Sequence, residues 1–318
     1  MVNVKKLGVA IIGAGFWGRN HARNFKELKE TRLIAICDRD IARAKAVAEL
    51  FSVEAYGDSR EMLSRRDVEA VTVCTWSTDL AGETMKALKA GKHVLVEKPM
   101  ANNVREAQKL VDLAKRNKLH LSVGFLMRFI PGLQRIKEAS EKGDLGTLVY
   151  ATARRVSEWP ERIGDVGVVK DLAVHDIDIA RYLFNDDPVE VYAKTGSLRY
   201  KKYEDHAQIL LTFKEGKTAF IEANWLTPYK IRKLTVTGSK AIMTLDYITQ
   251  EITIETAGQT LAPRYAVKEP LKLELQQFAN SVIKDRENMI SGMDGLKALQ
   301  IAEAALKSAR RSTAIKLK

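Results

Sequence analysis

Two cysteines among 318 residues are too few for the disulfide framework of a small secreted domain, and nothing in their spacing suggests a metal site. Cys37 and Cys74 each lie in an apolar, strand-like run and read as buried free thiols. No apolar run reaches the ~18 residues that cross a bilayer, so no membrane-spanning helix is expected. Low-complexity segments and short internal repeats are absent. A basic tail is absent too, although the net charge is +12. Lysine and arginine are interleaved with aspartate and glutamate throughout, and no nucleic-acid motif accompanies them. That pattern describes a solvated surface, with room for a local basic cluster serving an anionic substrate. What remains is a 46% hydrophobic, 29% charged chain, long enough for two modest domains with their own cores.

The stretch "GVAIIGAGFWGRNH", Gly8 to His21, follows two lysines. A secretion signal demands an unbroken apolar segment and a small-residue cleavage site. Gly13, Gly15 and Gly18 interrupt this one, and Arg19, Asn20, His21 and Arg23 follow. A dinucleotide site predicts those interruptions. Gly13 allows the tight turn after a strand, Gly15 allows close approach to a pyrophosphate, and Gly18 lets the next helix pack on the sheet. "RLIAICD" then reads as a second buried strand, whose Asp38 lies 20 residues beyond Gly18, about where a carboxylate meets the adenosine ribose. Without an export signal, a cytoplasmic location is expected.

From residue 7 to about 123, the strand-like runs "LGVAIIG", "RLIAICD", "AVTVCT", "HVLVEKP" and "LHLSVGF" alternate with amphipathic helices such as "DIARAKAVAELF" and "NVREAQKLVDLAKRN". Alternation of this kind implies an α/β domain, a doubly wound parallel sheet with helices on both faces. After one more helix at "GLQRIKEASEKG", longer alternating strands take over: "TLVYATARRV", "VEVYAKTGSL", "HAQILLTF", "TAFIEANW", "KLTVTG" and "AIMTLDY". They imply an α+β domain with a large, open, mostly antiparallel sheet covered by helices on one face, and Gly216 marks a hairpin turn. Helical periodicity returns from Leu271 to Arg311, with Gly292 and Gly295 marking a break. The domains expected are residues 1–123 for dinucleotide binding and 124–318 for substrate binding and oligomerisation.

Three local groups carry chemistry. In "VLVEKPMA", Glu97, Lys98 and Pro99 follow a buried strand, and ligands of open α/β sheets bind outside the carboxyl ends of strands. In "KDLAVHDIDIARYL", Asp171, His175 and Asp178 stand at i, i+4 and i+7, one face of an α-helix. A histidine near carboxylates suits hydride transfer from an alcohol, since a base must take the hydroxyl proton. A metal reading lacks a second histidine or cysteine at ligand spacing, and none is expected. In "RRVSEWPERIGDVG", Arg154, Arg155 and Arg162 surround Trp159 and Pro160. Arginines beside an aromatic plane suit phosphate and ring recognition, and a solvated strand edge is the alternative.

The motifs together, GxGxxG at Gly13–Gly18, Asp38, "AGKHVLVEKP", "GFLMRF", the "GDLGT" turn, "DLAVHDID" and "VTGSKA", resemble the Gfo/Idh/MocA family of sugar and polyol oxidoreductases across essentially the whole chain. The resemblance implies hydride transfer from a secondary alcohol to NAD (NADP second) and catalytic roles for Lys98, Asp171 and His175. Cofactor contacts fall on Gly13, Gly15, Phe16, Trp17, Gly18, Asp38, Arg39, Thr75, Trp76, Glu97 and Lys98. Substrate contacts fall on Lys98, Arg128, Arg155, Arg162, Asp171 and His175. Two departures stand out: "TWSTDL" places Trp76 and Leu80 where the family often has proline and histidine, and Ala173 replaces a common glycine. The segment from Arg154 to Asp178 resembles a nucleotide-sugar branch, implying UDP-N-acetylglucosamine oxidised at C3. A free sugar or inositol substrate is the alternative, and a dinucleotide-binding sensor without turnover is the alternative of another class. Family members form dimers or tetramers by packing sheet on sheet.

Overall fold

Aliphatic runs separated by amphipathic stretches build the first unit of this computed structural model, which describes residues 6–160 and 165–317. In chain order come β1 (Leu7–Ile12), α1 (Phe16–Glu27), β2 (Thr31–Cys37), α2 (Ile41–Phe51), β3 (Glu54–Tyr56), α3 (Ser59–Leu63), β4 (Ala70–Val73), α4 (Ser77–Lys89), β5 (His93–Val96), α5 (Val104–Arg116) and β6 (Leu121–Val123). The six strands pair in parallel in the order β3-β2-β1-β4-β5-β6. That order reverses between β1 and β4, which opens a ligand crevice at the carboxyl ends of those strands. Side chains of Asp40, Asp58 and Asn103 cap α2, α3 and α5. By contrast α1 and α4, the helices that follow β1 and β4, have no side-chain cap. At α1 no N-cap side chain therefore competes with a ligand for the first N–H groups.

The first compact unit runs to Leu126 and takes in Pro270–Lys297, while the second begins at Met127. The reason lies in the apolar stripe of the next-to-last helix, described below. Leu271, Leu275, Phe278 and Ala279 pack into one core with Val9, Ile11, Phe25 and Leu33.

In the second unit a 3₁₀ turn ending at Phe129 precedes α6 (Pro131–Glu141) and β7 (Leu148–Val156). A π turn at Val169–Ala173 leads into α7 (Val174–Phe184). Then come β8 (Glu190–Gly196), β9 (His206–Thr212), β10 (Thr218–Asn224), β11 (Ile231–Gly238), β12 (Ile242–Asp246), β13 (Ile252–Glu255) and β14 (Thr260–Leu261). The chain closes with α8 (Pro270–Lys284), α9 (Gly292–Arg311) and β15 (Ile315–Lys316). The helical break lies between α8 and α9. Gly295 sits inside α9, where an added Cβ would come within 2.5 Å of Val123.

Among the described residues the sheet order is β14-β13-β12-β11-β7-β10-β9-β8-β15, antiparallel except where β7 meets β10. Successive side chains of a strand face opposite ways. One cross-strand rank, Ala193-Ile209-Ile221-Ala153-Leu234-Leu245, is buried, and α6 and α7 pack on that side. The neighbouring rank, Tyr192-Leu210-Phe220-Thr152-Thr235-Thr244, lies on the other face, and its first three members are more than a third exposed.

Candidate active site

The glycine turn is built as a dinucleotide cradle. Gly13 adopts φ +103°, the left-handed region where other residues are strained. A Cβ on Gly18 would stand 1.7 Å from the Gly13 carbonyl oxygen, so strand-to-helix packing here admits no side chain. At Gly15 an added Cβ would meet nothing within 4 Å. Open space there, with the uncapped first turn of α1 beside it, fits a pyrophosphate. Asp38 is buried at the end of β2, where Oδ2 accepts the Ala14 N–H at 2.8 Å and Oδ1 accepts the Asp40 N–H at 2.9 Å. The carboxylate is thus tied directly to the glycine turn. Arg39 points into solvent, 3.6 Å from Asp79. Phe16 opens α1 exposed and stands edge-on to Trp17 at 5.5 Å. Thr75 follows β4, and half-exposed Trp76 is the N-cap residue of α4.

At the end of β5, Glu97 is buried and Lys98 half-buried, and the Lys98–Pro99 peptide is cis. Glu97 is held from two sides. His21 Nε2 lies 3.1 Å from Oε1, and the Lys98 N–H donates to Oε2 at 3.3 Å. His21 is fully buried on α1, so the cofactor-facing helix is joined through Glu97 to the residue that precedes the lysine. Sequence reasoning used His21 only as a polar break. Its position three residues after Gly18, on the sheet-facing side of α1, was the available signal.

In the second unit, Asp171 lies in the π turn and His175 in the first turn of α7, both buried. A π turn closes i→i+5 and marks many functional sites. It also breaks the uninterrupted α-helical register assumed for Asp171, His175 and Asp178. Asp178 is instead turned to Arg128, whose Nε and Nη2 donate at 2.8 and 2.6 Å. Asp176 meets Arg155 in the same fork, at 2.7 and 2.8 Å.

These forks set Arg128 and Arg155, both expected as substrate contacts, in ion pairs with α7. Both guanidinium groups are buried and already committed to carboxylates of α7. The physical reason is that β7 is a central strand, between β10 and β11, and not a solvated edge. Its inner-facing Arg155 must find its partner inside. Desolvation pulls the Arg155 pKa down, and Asp176 together with Tyr247 and Asp171 more than reverses it, leaving the group raised. Arg154, on the outer face, pairs with Glu222 at 3.1 Å. Arg162 lies outside the described residues. Trp225 is core, and Trp159 stands edge-on to it at 5.5 Å. Both cysteines are free and buried, and burial pushes the Cys37 thiol up to about 12, which leaves it inert.

A doubly wound parallel sheet with a glycine cradle, joined in one chain to a unit bearing a buried Asp–His segment, defines a dinucleotide-dependent oxidoreductase. The chain belongs to the Gfo/Idh/MocA family. The family described as "Oxidoreductase family, NAD-binding Rossmann fold" matches residues 7–125, and the "GFO/IDH/MocA C-terminal domain" matches residues 133–244. The chain is 30% identical to the uncharacterized oxidoreductase YrbE of Bacillus subtilis, covering 96% of this chain and 94% of that one. It is 29% identical to myo-inositol 2-dehydrogenase of Thermotoga maritima, covering 97% and 98%. The structure of UDP-N-acetylglucosamine 3-dehydrogenase of Acidithiobacillus ferrooxidans superposes with a TM-score of 0.89 at 25% identity, covering 96% of this chain and 99% of that one. The cofactor is NAD, and the relatives are named as dehydrogenases of sugars and inositols.

Proposed function

We propose that the chain oxidises a secondary alcohol of a sugar to a ketone, with UDP-N-acetylglucosamine, oxidised at C3, as the substrate. The observation that carries the reaction is the buried Asp171–His175 segment, fixed on α7 by two arginine forks. NAD, held by the Gly13–Gly18 turn, Asp38 and the residues at the ends of β4 and β5, supplies the hydride acceptor. His175 takes the hydroxyl proton, a task suited to imidazole near neutral pH. Lys98 donates a hydrogen bond to the alcohol oxygen and stabilises the charge that grows there. Asp171 orients the hydroxyl. Asp38 accepts hydrogen bonds from ribose hydroxyls and repels a 2′-phosphate, so NAD is preferred over NADP. Of the three arginines first considered for the substrate, only Arg162 keeps that role in this reading.

Oxidation of free myo-inositol is the second reading, favoured by the burial of Arg128 and Arg155, which removes two of the expected anion contacts. The exposed rank through Tyr192, Leu210 and Phe220 supports assembly as a homodimer or homotetramer, sheet on sheet. The test is NAD reduction with UDP-N-acetylglucosamine, free N-acetylglucosamine and myo-inositol. Preferential turnover of the UDP-sugar is expected. Equal efficiency with a free substrate overturns the nucleotide-sugar assignment, and no reduction with any of the three overturns the dehydrogenase reading.

A further inference from the structure

Between β8 and β9 the chain runs Ser197-Leu-Arg-Tyr-Lys-Lys-Tyr-Glu-Asp205, with three cations and two tyrosines in nine residues. The segment is a built loop. Fully buried Asp205 accepts the N–H groups of Arg199 at 2.6 Å and Tyr200 at 3.1 Å through Oδ2, and its Oδ1 lies 2.8 Å from His206 Nδ1. Ser197 Oγ donates to the Tyr203 carbonyl at 2.9 Å. Aromatic rings gather on this frame. Trp159 lies 5.4 Å from Tyr200, Tyr200 lies 6.0 Å from Tyr203, and the Arg199 guanidinium sits over the Trp159 ring at 5.4 Å. Lys202 Nζ stands over Tyr203 at 5.1 Å, and Lys201 is exposed beside it.

The loop is anchored to the segment that carries Asp171. The Glu204 carbonyl accepts the Val168 N–H at 3.0 Å, and its carboxylate accepts the Val169 N–H at 3.1 Å. Gly167 has no side chain because Glu204 occupies that space, where a Cβ would stand 2.1 Å from Oε1. The Asp171 N–H in turn donates to the Gly167 carbonyl at 3.0 Å. The cationic and aromatic loop is thus hydrogen-bonded, within one unit, to the candidate catalytic turn.

We infer that this loop, with Trp159, is the subsite for the nucleoside diphosphate portion of the substrate. A flat base stacks on an aromatic plane, and the two diphosphate charges meet Arg199, Lys201 and Lys202 through charge-assisted hydrogen bonds. A neutral hexose would use neither feature. The inference rests on the nucleotide-sugar reading and supplies anion contacts from residues outside the motifs.

The test titrates UDP into the full-length protein by calorimetry, with NAD saturating so that the dinucleotide cradle is filled. Saturable binding is expected. The triple variant Arg199→Ala, Lys201→Ala, Lys202→Ala should weaken it about tenfold or more, since it removes the charge-assisted hydrogen bonds to the diphosphate. The Michaelis constant for UDP-N-acetylglucosamine should rise in step. Trp159→Leu should lower UDP affinity without the salt dependence that the cations confer. Wild-type protein that ignores UDP, or a triple variant that binds it unchanged, overturns the subsite. If wild-type protein oxidises a free sugar yet ignores UDP, the subsite falls and the dehydrogenase reading stands. If UDP binding is lost in the variant but no sugar is oxidised, the dehydrogenase reading falls alone.

Discussion

The first unit makes its cofactor cradle largely from backbone, and the second fixes its candidate catalytic helix with buried charge. Around Gly13–Gly18 the groups on offer are N–H donors of an uncapped helix and the space left by missing side chains. Around α7 the holding groups are two aspartates, Asp176 and Asp178, each forked by an arginine and each buried. The two designs fail differently. A backbone cradle tolerates the loss of any single charge but not an added methyl group. A buried ion pair tolerates small shifts in shape but not an orphaned partner, because the remaining charge has no water to turn to.

The largest effect should come from adding one carbon to the first unit. Gly18→Ala would place Cβ 1.7 Å from a backbone oxygen that cannot move without undoing the turn. A loss above about 4 kcal/mol, the range reserved for severe steric or burial errors, is expected in urea denaturation. Gly15→Ala meets no atom within 4 Å. Its stability should stay within about 1 kcal/mol of wild type while NAD affinity, measured by calorimetry, falls. Equal damage from both substitutions would show that the cradle's glycines serve packing alone.

Next in size is Asp176→Ala, which strands Arg155. Removing one partner of a buried pair costs about 3–5 kcal/mol. Asp176→Leu combined with Arg155→Met should recover much of that loss, since an apolar pair of similar volume carries no desolvation cost. If the single substitution leaves the urea midpoint unchanged, the fork does not hold α7.

This contrast also explains what was legible in the sequence. Glycines at 13, 15 and 18 are weak evidence alone and are legible through their context, a strand before them and Asp38 after the next strand, and the parallel sheet followed from strand–helix alternation. Strands β7 to β12 were visible as alternating runs. By contrast β14 and β15, two residues each, and β3, three residues, are too short to show a period. The burial of Arg155 was not legible because strand order is invisible locally. The same "ARRV" is solvated at a sheet edge and buried at its centre. The π turn was not legible for a related reason: the spacing of Asp171 and His175 suits an α-helix, and only the backbone bond from the Val174 N–H to the Val169 carbonyl shows the wider turn.

His175→Ala should separate chemistry from architecture, one residue away from Asp176. Turnover should fall about a hundredfold or more, because general-base catalysis contributes ~10²–10⁴, while NAD affinity and the urea midpoint stay near wild type. Lys98→Ala should do comparable damage, and the double variant should cost much less than the product of the two singles. Near-normal turnover in either single variant removes that residue from the mechanism.

The smallest effect concerns the charge that anchors the π turn. Burial raises the pKa of the Glu204 carboxyl above the ordinary glutamate range, against the opposing pull of its backbone hydrogen bonds, the Val169 N–H among them, and of the Lys170 and Arg310 charges. A carboxyl raised on folding holds its proton more tightly in the native state than in the unfolded one. Its contribution to stability is therefore fully present below the unfolded pKa and is lost as pH rises through the folded one. Glu204→Gln keeps an oxygen to accept the Val169 N–H and removes the charge. The variant should match wild type in acid and become the more stable of the two as pH rises toward neutrality, with the gap level beyond the folded pKa. Urea midpoints measured from pH 4 to pH 8 check this. A gap that opens toward acid, or a variant less stable at pH 8, would mean that the charged carboxylate supports the π turn by attraction to Lys170 and Arg310, and that burial is not its dominant influence.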